Sequence, residues 1–96
     1  MNFEALGRYT DAVERASRLA RSRDGSLAEI ARQLNVFTGS KSGGHIAVAV
    51  DFGRIAKQLD EAEKIDAELV QAVAEANAVA QDCDKRPLKL WQQAVR

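Results

Sequence analysis

Ninety-six residues, 46% hydrophobic and 29% charged, suit a single domain (1–96) of globular composition. Fourteen Lys/Arg balance fourteen Asp/Glu, which excludes a global field steering the chain to nucleic acid or an anionic membrane. One cysteine, Cys83, excludes an internal disulfide, and aromatics at only 5% leave a core resting on alanine and aliphatic side chains.

Asn2 is placed to cap a first helix, with Glu4 near the positive end of its dipole. Phe3, Leu6, Tyr9, Val13, Ala16 and Ala20 then recur three and four apart, predicting a helix to about Arg21. Arg15, Arg18, Arg21 and Arg23 make its other face basic. Asp24-Gly25 reads as a break. Ser26-Leu27-Ala28-Glu29 has the order of a capping box, opening a short helix through Leu27, Ile30, Ala31 and Leu34.

Gly39-Ser40-Lys41-Ser42-Gly43-Gly44 reads as a loop by composition. Beyond it, Ile46, Val48 and Val50 alternate and are β-branched, so a β-hairpin with Val36-Phe37-Thr38 over 36–50 is one reading. A buried start of the next helix is the other, since short apolar runs do not separate the two.

From about 51 to 84, Phe52, Ile55, Leu59, Ala62, Ile65, Leu69, Val73, Ala76 and Cys83 keep helical spacing without a proline. At 1.5 Å per residue this helix is roughly 50 Å long. Arg86-Pro87 is read as its stop, with Leu88, Leu90, Trp91, Ala94 and Val95 available for a last short helix. The fold expected is mainly α: two shorter helices packed along one long helix, with or without the hairpin.

Three chemical readings compete with plain helix packing. Residues 26–36 resemble the first half of a helix-turn-helix, and a small DNA-binding regulator using 26–50 is the alternative function. The apolar residues its recognition helix needs would fall at Lys41 and Gly44, in the glycine-rich loop, and the zero net charge also disfavours nucleic acid. The Gly39–Gly44 loop lacks the glycine-then-Lys-Ser/Thr order of a phosphate loop. His45 and Cys83 have no partner at metal-ligand or nucleophile–base spacing, so no catalytic, metal, cofactor or small-molecule site is expected.

The acidic stretch Asp60, Glu61, Glu63, Asp66 and Glu68 reads as a solvated face with local pairs such as Asp60–Lys64. Its sharper reading is a dock for the arginines of the first helix. Leu69, Val73, Ala76 and Ala80 fall at alternating three- and four-residue spacings, the seam of a coiled coil. The function expected is a non-catalytic helical interaction or assembly module. It self-associates or binds a helical protein through that seam, with Trp91 as an anchor. No apolar run approaches the ~20 residues of a membrane span. Met1-Asn-Phe-Glu4 lacks the layout of a signal peptide, so a cytoplasmic location is expected.

Overall fold

A computed structural model describes residues 2–39 and 49–88. Two helices run antiparallel: α1 (Phe3–Gly39, 37 residues) and α2 (Phe52–Ala80, 29 residues), the latter extended by a 3-10 turn at Gln81–Cys83. Ion pairs from Arg15 to Glu75 and from Arg23 to Asp66 tie rising positions on one helix to falling positions on the other. The principal extents are 68 × 23 × 18 Å and the radius of gyration is 19.0 Å. A compact chain of this length would have a radius of about 12 Å.

The cap at Asn2 agrees with the sequence, and Asp51 adds one that was not expected from it. Asn2 Oδ1 accepts the Ala5 amide at 3.1 Å, and Asp51 Oδ1 accepts the Arg54 amide at 3.0 Å, each satisfying a donor in its helix's first turn. At the far end, Asp84 adopts the left-handed conformation (φ 57°). The amides of Lys85 and Asp84 then return to the carbonyls of Ala80 and Gln81, a Schellman closure. The stop therefore precedes Arg86-Pro87.

Two expectations about the first half are corrected. Asp24-Gly25 is no break: α1 passes through it uninterrupted, so one long helix replaces the two shorter ones. A mid-helix glycine costs only ~1 kcal/mol relative to alanine, whereas a break would strand up to four amides and four carbonyls. Packing decides it, because Leu19, Arg23, Ser26 and Ile30 keep inward spacing of four, three and four across the glycine. Glu29 does not reach back to Ser26; it pairs with Arg32 and Gln33 one turn ahead.

The β-hairpin is the second correction. Val36, Phe37 and Thr38 are the last turn of α1, and no strand occurs among the described residues. Half-buried Phe37 continues the stripe of Ile30 and Gln33, and this tertiary burial overrides the β-branched preference. The Thr38 hydroxyl donates back to the Leu34 carbonyl at 3.0 Å, a contact made within a helix. Of the expected second strand at 46–50, residues 46–48 are outside the described residues and 49–50 are not in a strand.

Inward positions follow a heptad rhythm. On α1 they are Ala5, Tyr9, Ala12, Ala16 and Leu19, then Arg23, Ser26, Ile30, Gln33 and Phe37. On α2 they are Ile55, Gln58, Ala62 and Ile65, then Leu69, Ala72, Ala76, Val79 and Cys83. The tightest cluster is Ala16, Leu69, Ala72 and Val73, with Leu19, Ala20 and Leu88 packed against it. After the Schellman turn the chain doubles back to reach that cluster. The Leu88 amide donates to Asn77 Oδ1 (2.6 Å), and Asn77 Nδ2 donates to the Leu88 carbonyl (2.9 Å).

Candidate functional site: the two sides of the hairpin

The seven-residue repeat sorts the remaining positions onto two sides. On one lie Arg8, Arg15, Ser22 and Glu29 of α1 and Arg54, Glu61, Glu68, Glu75 and Asp82 of α2. Arg15 bridges to Glu75 here, and Arg54 helps to stabilise the charge of Glu29. Glu29 itself is held at about 2, mainly by hydrogen bonds from Arg32 and then Gln33. The basic residues of α1 thus meet acids near the chain ends, and the signs are exchanged near the connection. That pattern favours the antiparallel register observed. Each exposed pair is worth only ~0–1 kcal/mol.

The other side carries Leu6, Val13, Ala20, Leu27 and Leu34 of α1 and Phe52, Leu59, Asp66, Val73 and Ala80 of α2, again at intervals of seven. Its cover is uneven. Near the chain ends Val73 and Ala80 are buried, and Ala20 and Leu88 pack on the Val73 cluster. Toward the connection Leu27 (43% exposed), Leu34 (45%), Phe52 (76%) and Leu59 (47%) lie open among the described residues. Single exposed leucines are ordinary, but a contiguous group is informative.

The expected partner seam is elsewhere. Leu69, Val73, Ala76 and Ala80 are buried inside this chain, Leu69 and Val73 packed with Ala16 of α1. The reason is the length of α1, which as one helix covers α2 from end to end. Trp91 lies outside the described residues. Of the acidic stretch, Asp66 meets Arg23 at 2.8 Å, and Asp60 pairs with Lys64 at 3.4 Å on its own helix. Arg23 is thereby raised above its ordinary value, chiefly by the hydrogen bond to Asp66 and then by Asp24.

Other candidate chemistry is placed as follows. Cys83 is fully buried, its thiol directed at the carbonyls of Val79 and Ala80 (3.5 Å each). His45, Lys41 and Gly44 lie outside the described residues. The turn that a helix-turn-helix requires after Leu34 is absent, since α1 continues to Gly39. Among the described residues no acidic, His or Cys group has metal-site geometry, and no helix is long and apolar enough to cross a membrane.

An open groove between the helices is lined by Ser22, Gly25, Ser26, Glu29, Gln58 and Glu61. The sequence reading missed the stripe at Leu27, Leu34, Phe52 and Leu59. Its signal is a third apolar position in every heptad of α1 and in all of α2 but the one at Asp66, and the assumed break at Asp24-Gly25 splits the α1 part. No family model, curated protein or solved structure matches the chain.

Proposed function

We propose that this chain is a non-catalytic helical interaction module whose contact surface is the apolar side of the hairpin near the α1–α2 connection. One observation carries the reading: Leu27, Leu34, Phe52 and Leu59 share one side and are exposed together. Leu69 and Val73 are already occupied by α1, so a partner using that seam would first have to open the hairpin. The uncovered side requires no such opening.

Site-specific photocrosslinking in cells tests this. A benzophenone side chain at position 34 should give a discrete protein adduct, lost when Leu59→Glu is added. The same probe at position 61, on the charged side, should give none. Equal labelling from both positions, or none from position 34, would reject the proposed surface.

A further inference from the structure

We infer that residues 89–96 of this chain dock along its own apolar side, from Leu88 toward Leu27 and Leu59, and compete there with the partner. The competition rests on the reading of that side as the contact surface; the docking does not.

The first argument is the path of the chain. After the Schellman turn the backbone reverses, and Leu88 exchanges two hydrogen bonds with Asn77 while packing on the cluster that includes Leu69 and Val73. At Leu88 the chain is therefore already on the apolar side and is travelling back along α2 toward the connection. Val70, 45% exposed, lies seven positions before Asn77 on the same edge, and Leu27 and Leu59 lie further along that side. From Val73 to Leu59 is fourteen positions of α2, roughly 21 Å at 1.5 Å per residue. The eight residues 89–96 reach up to about 26 Å at 3.3 Å each. Phe52, roughly 32 Å from Val73 on the same measure, is beyond them. A segment delivered into the groove by Leu88 has a local concentration on the order of mM, which a second copy or another protein must overcome.

The second argument is charge. Residues 89–96 combine Leu90, Trp91, Ala94 and Val95 with Lys89 and Arg96, and hold no acid. The surface they would cross has the opposite composition. The α2 half of the apolar side, taken with its outer edge, carries Asp60, Glu63 and Asp66 and no Lys or Arg between Phe52 and Ala80. Asp66 is engaged by Arg23, and Asp60 pairs with Lys64 from the outer face; Glu63 is exposed. On the α1 half the one basic residue is Arg21, against Glu14 and Asp24. An apolar strip edged by acids suits an apolar segment flanked by cations. The large apolar surface of a tryptophan supplies most of the contact area.

Trp91 is the only tryptophan, so fluorescence of the full chain reports this segment alone. Its emission should be blue-shifted, and its quenching by acrylamide several-fold weaker, relative to the denatured chain. Leu27→Glu combined with Leu59→Glu should return both readings toward the denatured values, because docking would bury the new carboxylates. Both positions are exposed among the described residues, so circular dichroism should show helix content retained. Val36→Glu, similarly exposed on the charged side, should leave the emission unchanged. Emission that matches the denatured chain, or that ignores the two glutamates, overturns the proposal. So does a blue shift that disappears on dilution, which would put the segment on a second copy.

The competition is read separately. Leu90→Glu with Trp91→Glu should increase the photocrosslinked adduct from position 34, and an unchanged adduct overturns the competition. An undocked Trp91 together with an adduct from position 34 sinks the docked segment and leaves the contact surface standing. A docked Trp91 with no adduct from position 34 sinks the contact surface instead, and the competition with it.

Discussion

The two halves of the hairpin, divided near Arg23 and Asp66, solve the same packing problem differently. In the half near the chain ends the inward residues other than Tyr9 are small or aliphatic, among them Ala5, Ala12 and Ala16 on α1 and Leu69, Ala72 and Ala76 on α2, and Ala72, Ala76, Ala80 and Cys83 have no accessible surface. In the half near the connection the inward positions include Ser26, Gln33 and Gln58, and Gln58 Oε1 is buried without a hydrogen-bond partner among the described residues. Only there are the flanking leucines and Phe52 exposed. One half has an apolar seam with Leu88 packed on it, while Phe3 and Val70 are exposed at its surface. The other is polar at the seam and apolar at its flank. The contrast teaches that a heptad rhythm sets helix phase even where the inward residue is polar, while stability depends on what fills the seam.

The comparison can be broken at its strong half. Leu69→Ala removes the largest side chain of the tight cluster, and alanine neighbours cannot expand to fill the space. Unfolding by denaturant should show a loss of about 3 kcal/mol. If the loss were under ~1 kcal/mol, the half near the chain ends would not be the stable one.

The weak half should respond with the opposite sign. Gln58→Leu keeps side-chain volume and deletes the unpaired acceptor, so stability should rise by about 1 kcal/mol. Slower amide exchange around Ser26 and Gln33 should accompany the gain. A loss instead would mean that the Gln58 side chain has a partner in solution.

Gly25→Ala is a smaller change in the same half. A methyl group there meets nothing within 4 Å, and alanine favours the helix, so a gain of about 0.5–1 kcal/mol should appear in thermal unfolding. Destabilisation would show that α1 does break at Asp24-Gly25 in solution.

The smallest effect concerns pH. Glu29 falls from an ordinary 4.5 to about 2, through hydrogen bonds from Arg32 and Gln33. A folded value below the unfolded one means that its contribution is complete above 4.5 and is lost as pH falls toward 2. Carboxyl carbon NMR should follow this titration, and Arg32→Ala should move it back toward 4.5. An unshifted Glu29 would remove the local pairing that replaces the capping box.

Much of this fold is legible in the residues alone. Asn2 marks a helix start because a side-chain oxygen three residues before an amide is a local device. The run from Phe52 to Cys83 shows its spacing without interruption, and Cys83 at an apolar position is indeed buried. Asp24-Gly25 and Val36-Phe37-Thr38 were misread for one reason: local propensities there amount to ~1 kcal/mol or less. Burial along a neighbouring helix outweighs terms of that size, and sequence spacing within ten residues does not reveal the neighbour.

The sequence by itself determined that the chain is helical, that its second half is one long amphipathic helix, and where both helices begin. Those properties come from caps and periodicity, which act within a turn or two. Only the tertiary structure decided that residues 3–39 are continuous and that Leu69 and Val73 are spent inside the chain. It likewise decided that Leu27, Leu34, Phe52 and Leu59 meet on one open side. These depend on the antiparallel pairing of α1 with α2, which brings together positions some twenty to sixty residues apart in the chain and assigns each stripe an inside and an outside.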